Sequence, residues 1–341
     1  MTRRKESTMK QGKKIMSFVW AILLFGFTAY AALDTFVIEH SYAAVEEPTA
    51  ALMTAAVTEE PEATASVTPT AVTISTAVQT STTPVQETAP SPTETVNVVS
   101  TENSYADGNI SITIQEIRSY DSTIYVADVV LTSPEYLQTA LANSVYGRNV
   151  TAKTSSIAQN ANAILAINGD YYGARETGYV IRNGVLYRSK ANKKAEDLVI
   201  FRDGSFKIIQ ESEITAQELM DAGAWNVLSF GPALLVDGEI AVDAKEEVGR
   251  AMASNPRTAI GIVDPLHYVF LVSDGRTKAS EGLSLQELAQ VMQELGVKTA
   301  YNLDGGGSST MVFQGRVVNN PTTNGKRVSE RSVSDIVCIA S

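Results

Sequence analysis

Three apolar runs in this chain end in polar residues spaced two apart. "AILAINGD" closes on Asn168 and Asp170, "FLVSDGRT" on Asp274 and Arg276, and "AYNLDGGG" on Asn302 and Asp304. The last continues through Gly305, Gly306 and Gly307 to Ser308, Ser309 and Thr310. Residues two apart in a strand share a face, and ligands of α/β sheets favour the crevice beyond the carboxyl ends of strands. Three carboxylates arriving there, Asp170, Asp274 and Asp304, are suited to acid–base work. Arg257, Arg276 and Arg331 carry the planar donors that hold an oxyanion bidentately. A run of glycines lets backbone N–H groups approach an anion closely. Together these residues predict a cradle for a negatively charged, oxygen-rich ligand. The glycine spacing matches neither the dinucleotide fingerprint nor a P-loop. No cofactor is expected, and no spaced ligand motif supports a divalent cation. Histidine chemistry has little to work with, since only His40 and His267 are present.

Other acidic and amide residues belong to turns. "YVIRNGVLYR", "LVIFRDGSFKII" and "ALLVDGEIAV" are hairpin patterns in which Asn183, Asp203 and Asp237 precede glycine, as type I′ turns require. "STMVFQGRVVN" is a further hairpin, and "PEYLQTAL" and "SSIAQNANA" are expected as short helices. "SLQELAQVMQELG" predicts a helix capped by Ser284 with Glu287 and stopped by Gly296. It lies between the strands "YVFLVSDG" and "VKTAYNLD", a strand–helix–strand crossover beside antiparallel hairpins. The expected fold is one α+β domain, residues 104–341, with a mixed β-sheet, hairpins and flanking helices. Cys338 is the only cysteine, so no intrachain disulfide forms, and its apolar run "DIVCIA" assigns it to the core.

Formal net charge is −11, from 38 acidic and 27 basic residues. That argues against nucleic acid as a partner, because phosphate backbones want a basic face. At the N-terminus a basic tail, residues 1–14, precedes the apolar run Ile15–Leu33, which is close to the length of a membrane-crossing helix. Residues 15–38 are expected as a signal anchor, with the tail cytoplasmic and the rest outside. The alternative is secretion after cleavage near "AYA", residues 29–31. Residues 39–103 are rich in Thr, Ala, Val, Pro, Ser and Glu and read as a disordered stalk.

The blocks "AINGDYY", "SFGPALLVDGE", "NPRTAIGI", "LVSDGRTKASEGLSLQELAQVMQELGV", "YNLDGGGSSTMV" and "RSVSDIVCI" resemble the phosphodiester glycosidase family. The resemblance covers roughly Ile110 to Ala340 and is most specific at "LDGGGSST". It implies hydrolysis of a sugar-1-phosphodiester in envelope or extracellular glycans. On that basis Asp304 and Asp170 stand nearest the reaction, and Arg257 and Arg276 hold the phosphate. Asn168, Asn302 and Ser308 orient sugar hydroxyls, and Gly305, Gly306 and Gly307 form the cradle. Thr258, Ser309 and Arg331 join the substrate-binding set, and Asp274 the carboxylates. The chain departs from the family pattern at "NGDYY", where "NGGYF" is usual, and at Asp335, where Asn would be unsurprising. The competing reading is a non-catalytic glycan-binding module on the same membrane anchor.

Overall fold

The computed structural model describes residues 2–44, 98–242 and 254–341. Most of the expected stalk, residues 45–97, therefore lies outside the described residues.

Alternation builds the strands. In Ile110–Ser119, Ile110, Ile112 and Ile114 are buried while Ser111 and Thr113 are exposed, so one face meets a core and the other meets water. Besides a two-stranded pairing near the N-terminus, the described strands form three larger sheets, whose central strands are buried on both faces. In the nine-stranded sheet the central order is Ala233–Val236, Thr299–Asn302, Arg257–Asp264, His267–Ser273, Ser122–Leu131 and Ile110–Ser119. One five-stranded sheet centres on Ala163–Asn168 between Met311–Phe313 and Asp335–Ala340. The other centres on Ala224–Leu228 between Val180–Arg182 and Glu196–Phe201. Ile112, Tyr125, Leu165, Val337, Leu198 and Leu228, drawn from all three, share a single core. The opposite faces take helices. Ala259 and Leu271 pack with Leu288 and Met292 of Leu285–Glu294, while their strand neighbours Ile260 and Phe270 point into the shared core. Ala166, Ile336 and Cys338 pack with Ile157 of Thr154–Asn160.

The α+β class, the hairpins and the capped helix hold. Asn183 and Gly184, Asp237 and Gly238, and Gln314 and Gly315 all turn through positive φ. Ser284 and Glu287 form the reciprocal capping box, and Gly296 at φ +77° ends the helix. Every strand pairing among the described residues is antiparallel. The crossover explains why: Thr299–Asn302 lands one place beyond His267–Ser273, with Arg257–Asp264 between them and antiparallel to both. "PEYLQTAL" is not a helix. It forms a 3-10 turn, Pro134–Tyr136, and then the strand Leu137–Leu141 on the edge of Asp335–Ala340. Cross-strand pairing there overrides the local helical pattern.

The N-terminal boundaries also shift. Val99–Ser100 pairs with Ser104–Ala106, so the folded domain begins by residue 98. Thr2–Phe36 is a helix whose stretch Phe18–Thr35, mean hydropathy 1.6, is long and apolar enough to cross a membrane and has none of its residues buried. Beyond it, His40–Ser41 pairs with Gly147–Arg148 of the domain. Asn149 Nδ2 donates to the Ile38 carbonyl at 2.9 Å, and Arg148 Nη2 to that of Thr35 at 3.1 Å. A Cβ on Gly147 would lie 2.1 Å from the His40 carbonyl oxygen, so the pairing requires glycine. Both flanks of residues 45–97 thus sit on one folded unit.

A buried ion cluster locks the two five-stranded sheets together. Arg182, in Val180–Arg182, donates through Nη2 to Asp170 Oδ2 and through Nε to Asp335 Oδ2, each at 2.8 Å. All three side chains are at most 2% exposed. Burial pushes the Asp335 carboxyl up to about 7 and nearby Asp170 adds to the shift, while Arg182 counters it. Removing one partner of such a cluster leaves an uncompensated charge, which costs about 3–5 kcal/mol. Arg182→Met is therefore expected to lower stability by about that amount, read from the urea midpoint of the full-length protein in detergent. A loss below about 1 kcal/mol would contradict this account of the cluster.

Candidate active site

Strand register explains why distant segments meet. Arg257 faces Ser273, and Ala259 faces Asn302, in adjacent ladders. The start of one strand and the ends of two others therefore reach the same edge, which carries Arg257, Thr258, Asp274 and Asp304. In the neighbouring sheet Asn168 faces Ile336, and Ile167 faces Met311. Asn168 joins the two edges. Its Oδ1 accepts from Thr258 Oγ1 at 2.8 Å and from the Thr310 amide at 3.2 Å, while Nδ2 donates to the Asp304 carbonyl at 2.6 Å. Fully buried, Asn168 ties the ends of the glycine loop together.

The three glycines follow from close packing. A Cβ on Gly305 would lie 2.9 Å from the Pro256 carbonyl oxygen. On Gly306 it would lie 2.8 Å from Arg276 Nη2, and on Gly307 2.4 Å from Thr323 Oγ1. Gly306 also sits at φ +63°, and its N–H is spent on the Pro256 carbonyl at 2.7 Å. The bare backbone thus serves first to let Arg276 and the 256–257 segment press against the loop, and only part of the expected amide cradle is open.

Asp304 is the carboxylate at the centre. Its Oδ2 accepts from Ser308 Oγ at 2.5 Å and from Arg331 Nη2 at 3.1 Å. Arg331 Nε and Nη2 also donate to Ser308 Oγ, at 2.9 and 2.6 Å. Burial raises the Asp304 carboxyl above the usual aspartate range, and the Ser308 and Arg331 contacts pull it partly back. Arg276 is steered by Asn255 Oδ1 and the Thr323 carbonyl. Burial lowers its guanidinium below the usual arginine range, and the nearby charge of Arg331 lowers it further. Two like charges held together against one loop favour an anion between them. Arg257 lies alongside, its Cα and Cδ each 3.9 Å from where a Gly305 Cβ would be, with Nε donating to the Leu283 carbonyl at 2.8 Å.

The other two carboxylates are occupied elsewhere. Asp170 Oδ1 accepts from the Tyr172 amide at 2.9 Å, and Oδ2 from Arg182 and the Ser229 amide, each at 2.8 Å. Asp274 accepts from the Asn320 amide at 2.8 Å and from both Asn319 and Asn320 side chains, fastening that turn to the strand end. Both are buried, and these bonds tie each carboxylate to the surrounding backbone and side chains. Asn302 Nδ2 donates to the Gly231 carbonyl at 2.7 Å, and its buried Oδ1 has no partner among the described residues. Ser309 and Thr310 are buried as well, and their hydroxyls are likewise unpartnered there. Reasoning from sequence missed Arg182, Asn255, Asn319, Asn320 and Thr323. An arginine inside "YVIRNG" and the turn residues of "VVNNP" were the available signals. Among the described residues no group of three His, Cys, Asp or Glu forms a metal site.

Comparison with known proteins agrees with this frame. A family model for phosphodiester glycosidase matches residues 161–340. An uncharacterized SPbeta prophage-derived protein, YomE, of Bacillus subtilis is 30% identical over 205 residues, covering 58% of this chain and 31% of that protein. The mouse N-acetylglucosamine-1-phosphodiester alpha-N-acetylglucosaminidase is 26% identical over 205 residues, 55% of this chain and 40% of that enzyme. The chain thus spans well under half the length of these relatives. The solved catalytic domain of the zebrafish enzyme, auto-inhibited by its pro-peptide, aligns with a TM-score of 0.55 at 22% identity, over 68% of this chain and 83% of that one. This likeness speaks for the fold. With its family match extending over more than half of its length, this chain belongs to the phosphodiester glycosidase family.

Proposed function

We propose that this chain is a membrane-anchored hydrolase that cleaves sugar-1-phosphodiester linkages in glycans outside the cytoplasm. The observation that carries the reading is the convergence of Asp304, Ser308, Arg331 and Arg276 on one glycine loop. A glycosyl phosphodiester offers matching chemistry, with an anionic phosphate for the guanidinium groups and an anomeric carbon for the carboxylate. The mouse relative's name specifies a sugar-1-phosphodiester substrate, and bringing that substrate class to this chain is part of the proposal. The apolar helix would anchor the protein, with the basic tail on the cytoplasmic side.

In the reaction the bond between the anomeric carbon and the phosphate oxygen breaks. The phosphomonoester leaves with the electron pair, and water supplies the hydroxyl to the sugar. Phosphate is a weakly basic leaving group, so protonating it matters less than stabilising positive charge at the sugar carbon. Ionised Asp304 is assigned that task, and Arg276 and Arg331 hold the departing phosphate. Arg331 also bonds Ser308 and Asp304, so it links the anion to the carboxylate that faces the sugar.

Asp304→Asn is expected to lower release of free sugar from a sugar-1-(methyl phosphate) by about three orders of magnitude or more, with the thermal melt unchanged. Full activity in that variant would remove Asp304 from the reaction. Ser308→Ala supplies a signed pH test. The Ser308 hydrogen bond favours the charged form of Asp304, so losing it raises the carboxyl further. The acid limb of the kcat/KM profile should move to higher pH; an unmoved limb, or one displaced downward, would contradict the assignment.

A further inference from the structure

A hollow lies behind the 231–232 segment, which the strand leading into the glycine loop contacts through Asn302. It has a volume of about 560 Å³ and is lined by Arg175, Asn192, Lys194, Glu196, Gln210 and Phe230, together with the Gly231–Pro232 wall. That wall is the one Asn302 grips, through Nδ2 to the Gly231 carbonyl at 2.7 Å and through its backbone N–H to the Pro232 carbonyl at 3.2 Å. Asn302 lies two residues before Asp304, so the hollow and the proposed reaction centre share a structural partition.

The lining is built, not incidental. The Arg175 guanidinium lies 5.4 Å from the centroid of the Phe230 ring, and its Nη1 donates to the Ser229 carbonyl at 2.8 Å. Lys194 belongs to a loop fastened by the buried Glu211, whose Oε2 accepts from the Asn192 amide at 2.5 Å. The Lys194 amide in turn donates to Asn192 Oδ1 at 3.3 Å. Glu196, the one carboxylate in the lining, is tied into the wall, with Oε1 accepting from the Ala233 amide at 2.6 Å and Oε2 from Gln210 Nε2 at 3.1 Å. Two cations therefore face one committed carboxylate. Lys190 and Lys193 flank the same loop in a chain whose net charge is −11, so the basic character is local. An aromatic ring, a proline, amides and two cations make a surface that receives a sugar face and an attached anion.

We propose that this hollow is a second subsite, which takes an anionic sugar unit of the same glycan that is cut at Asp304. The proposal rests on the sugar-1-phosphodiester reading above and narrows the substrate class. The preferred substrate is an oligomer or polymer with repeated negative charge, in which a neighbouring phosphate or carboxylate meets Lys194 and Arg175 and its sugar ring lies against Phe230 and Pro232.

The test uses the full-length protein in detergent, as wild type and as the exposed-residue variant Lys194→Glu. Binding is read with a fluorescent oligomer of phosphate-bridged sugars whose bridging oxygens at the anomeric carbons are replaced by methylene, so that it cannot be cleaved. Lys194→Glu should raise its Kd by about fivefold or more, and added salt should narrow the gap. Cleavage of a single-unit sugar-1-(methyl phosphate), which does not reach the hollow, should stay within about twofold of wild type. Unchanged oligomer affinity, or an equal loss on the single unit, would overturn the subsite. Weakened oligomer binding in a protein whose wild type cleaves nothing would keep the subsite and reject the hydrolase reading, so the two failures are distinguishable.

Discussion

A buried arginine shared by two carboxylates sets the geometry on which the rest depends. Arg182 comes from one five-stranded sheet, and Asp170 and Asp335 from the end of the other. A buried guanidinium without partners is prohibitively costly, so this contact fixes where the two sheets meet. Asp335 in turn lies over Gly169, where a Cβ would fall 2.3 Å from its Oδ1. The Gly169 carbonyl accepts from the Asp304 amide at 3.3 Å, and Asn168 holds the Asp304 carbonyl. Through these contacts the ion cluster helps determine where the Asp304 carboxylate sits. Asp170 and Asp335 are the two carboxylate partners of Arg182.

A second constraint is close approach. Pro256, Arg276 and Thr323 each occupy space that a side chain on the 305–307 segment would need. Side chains on the glycines would push the loop away from the arginine that it must contact. Arg276 itself takes φ +63°, a conformation uncommon for a residue with a side chain. The Arg276 carbonyl oxygen lies 1.9 Å from where a Cβ on Gly325 would be, so glycine is required there too. The region is over-determined by backbone contacts, which suits a site that must keep two positive groups near one another.

Much of the fold was legible in the sequence because its signals are local. The Asn183-Gly184 and Asp237-Gly238 turns, a capping box and alternating isoleucines each act within a few residues and were realised, whereas at Asp203-Gly204 only the glycine takes positive φ and the loop, residues 202–205, is longer than a two-residue turn. The 134–141 segment was misread because its strand is decided by a partner nearly 200 residues away in the chain. Site residues divide along the same line. The period of two placed Asp170, Asp274 and Asp304 correctly at strand ends, yet it carries no information about what each oxygen meets. Arg182 and the Asn319–Asn320 turn, which hold two of those carboxylates, lie on other elements and meet them only in the fold. Arg331, named only as a third anion-holding arginine, turned out to make the direct contact with Asp304.

In the proposed reaction Asp304 faces the sugar while Arg276 and Arg331 hold the phosphate. The most direct measurement is a crystal structure of the protein with a non-hydrolysable sugar-1-phosphonate. The phosphonate oxygens are expected on the two guanidinium groups over the 305–308 loop, with the anomeric carbon against the Asp304 carboxylate. A ligand bound with its sugar away from Asp304, or with its anion on other residues, would contradict it.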